Sequence, residues 1–351
     1  MSNNLPTGSS EATEQPVAFA MPSSWSDQPV LVTGAGGFIG SHLVETLLKS
    51  GARVRAFVRY NSRRDAGLLR LLSPELMASC EIIFGDLRDS DAVDKASRDV
   101  DTVFHLGALI GIPYSYVHPR EVVQTNVTGT LNVLTAAERN KVRKVVNTST
   151  SEVYGTALYT PIDEKHPLQG QSPYSASKIG ADKLAQSFYC TFGLQVATIR
   201  PFNTFGPRQS ARAVIPTIIT QALVKDKVHL GSLEPRRDFT FVTDTVDAFL
   251  RIAASPESAG REINVGSDAE ISIGELAAKI IKMIGREVEI SCDTQRVRPD
   301  RSEVQQLWAD ASQAAELIGW KPQVGFDEGL RRTIDWIQSH LELYQVGQYQ
   351  V

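Results

Sequence analysis

The amino-acid sequence predicts an α/β fold, a doubly wound and mainly parallel sheet joined to a smaller α/β lobe. Three observations carry that prediction. Order opens with an apolar strand, a glycine-rich turn and an amphipathic helix; strands and helices then alternate to about residue 200; and most strands end in polar clusters. Sheets of this kind gather ligands at the carboxyl ends of their strands.

Residues 1–28, rich in Ser, Asn, Glu, Gln and Pro, read as a flexible tail without a secretory signal. From Pro29 onward, PVLVTGAGGFIGSHLVETLLKSG reads as strand, turn and helix, stopping at Gly51. Gly34, Gly37 and Gly40 are spaced GxxGxxG. Gly34 suits the tight turn, Gly37 the approach of backbone to a pyrophosphate, and Gly40 close packing of helix on sheet. Phe38 and Ile39 begin the helix, whose amides face the phosphates. With a second strand at 52–58, this context turns a common glycine pattern into a dinucleotide site.

The end of that second strand bears on the choice of cofactor. VRYNSRR places Arg59 where an acid would bind the ribose of NAD, and no acid follows until Asp65. NAD or NADP is therefore expected, with the charges leaning toward NADP; a basic solvated loop is the alternative. Further strands at 81–84, 102–105, 144–148 and 195–199 bring Asp86, Leu87, Leu106, Ala108, Thr148 and Pro201 to the same edge. Asp86 is placed to meet an adenine amino group. A long helix over 121–140 carries Asn126.

After the 144–148 strand come Thr150, Ser151 and Glu152, and then SPYSASK opens a helix. Ser172 stands at the N-cap and Pro173 in the first turn. Tyr174 and Lys178 are four apart and share a helical face, so an ammonium near the phenol is expected to lower the tyrosine pKa. A phenol so tuned takes a proton from an alcohol. Beyond Gly206 helices are expected at 213–225, 243–254, 273–284, 311–318 and 326–340, and strands at 238–242, 263–265 and 288–290. The dinucleotide domain is thus set at 29–206, with sheet elements also from about 238–265, and a mainly substrate-binding lobe at 207–342.

The chain has 351 residues, ordinary composition and a net charge of −4, which offers no basic field for nucleic acid. No apolar run approaches a membrane span of about 20 residues. Cys80, Cys190 and Cys292 are scattered, lack metal-ligand spacing, and read as reduced thiols of a cytoplasmic protein. His105, His118 and His166 have no partner base or metal spacing and read as structural.

The glycine turn, Asp86, HLGA, Asn126, TSTSE, YxxxK and PFN stand in register over about residues 29–340. On these motifs the chain resembles the extended short-chain dehydrogenase/reductases, specifically their nucleotide-sugar epimerase/dehydratase branch. The resemblance implies a Rossmann-type sheet, a soluble homodimer and a nucleotide-sugar substrate, and it departs at Gly107, where many members have Ala. Thr150 followed by Glu152 resembles the 4,6-dehydratases, and Ser151-Glu152 the GDP-mannose dehydratases and UDP-glucuronate decarboxylases. ALIGIPYSY and RPFNTFGPRQSARAVIPT look most like the GDP-N-acetylglucosamine dehydratase of legionaminic acid biosynthesis.

What the resemblance implies is a 4,6-dehydratase whose cofactor is tightly held and regenerated in each cycle. Tyr174, with Lys178, would remove the C4 hydroxyl proton as hydride leaves. Thr150 would hold that oxygen, and Glu152 would take the C5 proton and assist loss of water from C6, with Ser151 ordering a water. Asn203, Arg208, Arg237 and Arg298 resemble the family's substrate contacts, with Glu303 in the place of its usual Asp. A 4-epimerase or a UDP-glucuronate decarboxylase (with Arg208 at the sugar carboxylate) are rivals within the family. A dinucleotide-binding scaffold without catalysis is a rival of another class.

Overall fold

The computed structural model describes residues 25–299 and 301–346. Six strands are laid down first: β1 (Pro29–Thr33), β2 (Arg53–Arg59), β3 (Glu81–Gly85), β4 (Thr102–His105), β5 (Lys144–Thr148) and β6 (Val196–Pro201). Short strands follow: β7 (Asn203–Phe205), β8 (Lys227–Leu230), β9 (Arg236–Arg237) and β10 (Phe239–Phe241). The last four are β11 (Glu262–Val265), β12 (Ile271–Ser272), β13 (Glu289–Cys292) and β14 (Gln306–Leu307). The central sheet has seven strands in the order β11-β6-β5-β4-β1-β2-β3, and every pairing is parallel. The order reverses between β1 and β4. In such sheets that reversal opens a crevice beyond the strand ends.

Parallel strands need cover on both faces, so their sequences are apolar throughout. Along β1, Val30 and Val32 join one core with Leu43 and Leu47 of the Phe38–Lys49 helix and Phe249 of the Val242–Ala254 helix. Leu31 points the other way, into a core with Val133 of the Gly129–Arg139 helix and Ala185 of the Pro173–Phe192 helix. Full burial of a side chain such as Leu43 contributes roughly 2 kcal/mol. A third core binds the Val214–Val224, Ile273–Ile284 and Phe326–Ser339 helices around β8 and β10. There β10 pairs with β7 while the helix after it packs on the main sheet, so the small lobe is threaded through the large one.

Several expectations need correction. The flexible tail was expected to reach residue 28, and its residues 1–24 lie outside the described part. Trp25, however, is 5% exposed and its ring centroid lies 5.8 Å from that of Phe104, because an indole gains more from the core than from water. The amide of Asp27 also donates to the Gly51 carbonyl at 2.9 Å. The helix expected over 121–140 is two α-helices, Pro119–Val123 and Gly129–Arg139, joined by a π-helical stretch at Gln124–Thr128. The strand expected at 238–242 stops at Phe241, where the next helix begins. β8 was not foreseen; it pairs with β13, displaced slightly from the expected 288–290.

Candidate active site

The glycine turn follows β1. Gly34 has φ +67°, and a Cβ there would lie 2.8 Å from the Gly107 amide nitrogen, so the turn and the exit of β4 touch backbone to backbone. The Thr33 hydroxyl secures that contact, bonding the His105 ring at 2.8 Å and accepting the Gly107 amide at 3.1 Å. His105 reaches the Thr130 hydroxyl at 3.0 Å with its other nitrogen; burial drives its pKa down to about 3, with Lys178 acting in the same direction. It is a neutral strut.

Whether these residues fit a dinucleotide can be tested on the structure itself. The helix from Phe38 has Gly37 as its N-cap, no side-chain cap and no acid in its first turn, so its amide donors are left for an anion. At the end of β5, the Thr148 hydroxyl is buried without a protein partner. A pyrophosphate-and-ribose ligand suits both features. The charged groups expected near adenosine are already paired. Arg88 grips Asp86 through Nε at 3.0 Å and Nη2 at 2.6 Å, holding that carboxyl below its usual range. Arg59 lies 3.2 Å from Glu121, which also accepts the Tyr114 hydroxyl at 2.5 Å. Arg88, two residues after Asp86, was not singled out from sequence.

The Pro173–Phe192 helix starts as its sequence foretells. Ser172 and Ser175 form a reciprocal capping box, with Pro173 in the first turn. That cap fixes Tyr174 and Lys178 at the mouth of the sheet, 6% and 4% exposed. Asn126, in the π-helical stretch, clamps the same region. Its side chain accepts the Leu109 amide at 2.8 Å, donates to the Leu109 carbonyl at 2.9 Å and donates to the Ser177 hydroxyl at 2.9 Å.

The expected acidification of Tyr174 by Lys178 is not what the structure shows. Burial pushes the phenol up, a hydrogen bond with Thr150 pulls it partly back, and the carboxylates of Glu152 and Asp182 push it up again. Lys178 turns its ammonium toward the Thr148 carbonyl, 2.5 Å away, and its own pKa is lowered by burial and raised by Asp182. Helical spacing gave the shared face correctly but could not say which acceptor the ammonium would choose.

Thr150 ends the β5 exit in extended conformation and caps a short 3-10 turn, Ser151–Tyr154; its hydroxyl accepts the Glu152 amide at 3.2 Å. Ser151 is buried within that turn. The charge of Glu152 acts on both Tyr174 and Arg237. Arg237 in β9 is 7% exposed; burial lowers its pKa, and Glu152 and Glu303 oppose that shift. Glu303 holds Arg237 at 3.1 Å and Arg298 at 3.5 Å. Ser302 beside it meets the Tyr116 hydroxyl at 2.7 Å. One cluster thus joins Thr150, Glu152 and Tyr174 to a pair of arginines.

Two of the expected substrate contacts stand differently. Asn203 spends its amide on the Asp238 carbonyl, 3.1 Å away, and so pins β7 to β10. Arg208 pairs with Glu45 of the Phe38–Lys49 helix at 2.6 Å. That acid lies 163 residues away, too far for sequence spacing to reveal. Sequence reading also missed the polar group beneath the site, where Asp182 and Arg200 form an ion pair at 3.2 Å. Asp182 was findable, standing four residues beyond Lys178 on the same helical face.

A family model described as GDP-mannose 4,6 dehydratase matches residues 31–333 of the chain. The chain is 34% identical over 316 residues to UDP-glucose 4-epimerase of Mycolicibacterium smegmatis, covering 88% of this chain and 98% of that one. It is 31% identical over 319 residues to dTDP-D-glucose 4,6-dehydratase of Mus musculus, covering 89% of each. Among solved structures, DesIV of Streptomyces venezuelae, a dTDP-glucose 4,6-dehydratase with NAD and TYD bound, superposes with a TM-score of 0.81. It is 28% identical, over 91% of this chain and 99% of that one.

Proposed function

From membership of the GDP-mannose 4,6-dehydratase family of nucleotide-sugar enzymes, to which the chain belongs, we propose that it is a nucleotide-sugar 4,6-dehydratase using NAD or NADP. The observation that carries the reading is the place of Glu152: a carboxylate one short turn from Thr150, acting electrostatically on both Tyr174 and Arg237. Elimination of water from C6 needs a base for the C5 proton in addition to the group that handles the C4 hydroxyl. A plain epimerase needs only the latter.

In this reading Arg237 and Arg298, bridged by Glu303, hold the diphosphate of a GDP-, UDP- or dTDP-linked hexose. The glycine turn, Arg59, Asp86, Leu87, Leu106, Ala108, Thr148 and Pro201 line the dinucleotide site. Thr150 holds the C4 oxygen, and Tyr174 takes its proton as the C4 carbon is oxidised. When bound, oxidised nicotinamide supplies the hydride acceptor and a positive charge that favours the phenolate of Tyr174. Glu152 removes the C5 proton and delivers one to the departing C6 hydroxyl, with the Ser151 hydroxyl beside it in the same turn. The hydride taken from C4 returns to C6 of the resulting enone and a proton to C5, so the product is a 4-keto-6-deoxy sugar and the cofactor is unchanged.

The rival with a specific observation behind it is the 4-epimerase, since a UDP-glucose 4-epimerase is as similar as any dehydratase reported above. The decarboxylase reading loses support, because Arg208, its cation, is engaged by Glu45. A panel of GDP-, UDP- and dTDP-hexoses with product mass spectrometry separates them. Dehydration removes one water, whereas epimerisation conserves mass. The dehydratase reading further expects a Glu152→Gln enzyme to reduce its nicotinamide on meeting substrate yet release at least ~100-fold less keto sugar. Unchanged dehydration by that variant would remove Glu152 from the reaction.

We also propose a homodimer joined through the helices over 119–139 and Pro173–Phe192. Both carry exposed apolar side chains, Val123 and Leu131 on the first, Tyr189 and Phe192 on the second. Leu131→Arg should give a monomer by light scattering; a wild-type monomer would refute the assembly.

A further inference from the structure

A polar network lies under Lys178, and the mechanism above makes no use of it. Asp182, 1% exposed, stands one helical turn beyond the lysine. Its Oδ2 accepts from the Ser149 hydroxyl at 2.7 Å and from Arg200 Nε and Nη2 at 3.3 and 3.2 Å. Its Oδ1 is buried with no hydrogen-bond donor at all. Arg200, 2% exposed, is itself fastened. Its Nη1 donates to the Tyr154 hydroxyl at 3.1 Å, which donates to Asn264 at 2.7 Å, and the guanidinium lies 5.2 Å from the Tyr154 ring centre.

A buried ion pair seldom stabilises a fold more than apolar residues of similar volume would, so its contribution to stability alone does not account for it. We propose that Asp182 is a positioning residue: anchored on one oxygen by Ser149 and Arg200, it keeps a carboxylate fixed beside Lys178 and so keeps that lysine cationic at the redox site. The inference rests on the reading of Tyr174 and Lys178 as the proton-handling pair.

The surroundings of Lys178 leave Asp182 to do this. From β4 comes His105, neutral through burial, its ring held by Thr33 and Thr130. From β5 comes the carbonyl of Thr148. From β6 comes Arg200, already bound to Asp182 and 3.9 Å from Glu262 of β11. Tyr174, on the lysine's own helix, is kept neutral by burial, and the charge of Glu152 beyond it acts on that phenol. Asp182 is the group whose charge opposes the effect of burial on the lysine. A plain strut between helix and sheet would need the Arg200 pair but would not govern the charge of Lys178.

The two roles separate in a measurement that needs no substrate. In full-length protein labelled with 15N-lysine, the Lys178 side-chain signal is identified by its absence in Lys178→Met and followed against pH. In Asp182→Asn the titration midpoint should fall by about one pH unit or more, and Asp182→Glu should restore most of it. If Asp182→Asn does not fold because Arg200 is left unpaired, Asp182→Asn/Arg200→Gln removes both charges, and a smaller fall is expected because the cation of Arg200 goes too. A midpoint equal to wild type in whichever variant folds overturns the proposal. With a nucleotide sugar that the enzyme turns over, the alkaline limb of kcat/KM should move down with the lysine. Failure of every sugar in the panel would sink the dehydratase reading while leaving the lysine titration to be read by itself.

Discussion

Arg237 Nη2 lies 3.1 Å from Glu303 Oε1, with the two side chains only 8% and 15% exposed. The same carboxylate reaches Arg298 at 3.5 Å, so one acid orients two guanidinium forks. Removing one partner of such a pair leaves an uncompensated buried charge, at roughly 3 kcal/mol. Glu303→Gln should therefore lower the urea midpoint clearly and raise KM for a nucleotide sugar more than it lowers kcat. A variant as stable as wild type, with unchanged KM, would remove Glu303 from both roles.

Trp25 tests whether the segment before β1 belongs to the core. Its indole is 5% exposed and packs on Phe104, which in turn meets Phe249 at 6.5 Å between ring centroids. Truncating a buried tryptophan to alanine removes a large apolar area and leaves a cavity, a loss of roughly 3 kcal/mol. Trp25→Ala should shift the chemical-denaturation midpoint accordingly, with kinetics little changed. A loss below about 0.5 kcal/mol would return the residue to the surface class.

What the sequence disclosed and what it hid follow from how local each signal is. The β-branched runs of β1 and β5, the left-handed turn at Gly34 and the Ser172 cap are written within a few residues, and each stands where its local chemistry puts it. Two-residue strands have no period to read: Arg236 pairs with Ser272 and Gln306, far along the chain, and only the packed lobe selects those partners. The site divides in the same way. Spacing put Tyr174 and Lys178 on one face, but the ammonium's acceptor comes from residue Thr148 on another element. Arg208 was expected among the substrate contacts by resemblance alone, and no sequence spacing could show that the fold brings Glu45 to it.

Cofactor choice should turn on Arg59. It is held by an exposed contact to Glu121, whereas Asp86, the acid expected to meet the adenine, is bound by Arg88. A loosely held guanidinium is available to a 2′-phosphate, and a neutralised carboxylate repels one less. Isothermal titration should show Arg59→Ala weakening NADP⁺ about tenfold while altering NAD⁺ little. If NAD⁺ binds wild type more tightly and the variant changes neither affinity, the preference lies with NAD, the cofactor bound in DesIV.

Acid should loosen the fold through histidines that are buried uncharged. Burial takes His42 from 6.5 down to about 4, against its bond to the Pro207 carbonyl at 2.9 Å, with Arg208 adding to the fall. His105 is taken down to about 3. A group whose folded pKa is depressed takes up its proton more readily when unfolded. Its stabilisation is therefore complete above pH 6.5 and drains away as pH falls toward 4 and 3, on the order of 3 kcal/mol for His42. Asp238 works in the opposite sense. Burial raises its carboxyl from 3.8 to about 6, so its contribution is full below 3.8 and lost as pH climbs to about 6. Glu164, Asp182, Asp244 and Asp268, also raised by burial, act with Asp238. Glu45, Asp86 and Asp94, held low by their partners, act with the histidines. The histidine share between pH 4 and 6.5 is a loss of stability on acidification. The urea midpoint of wild type relative to His42→Gln should therefore fall as pH is lowered across that range. Parallel slopes for the two proteins would show that His42 is not held neutral by burial.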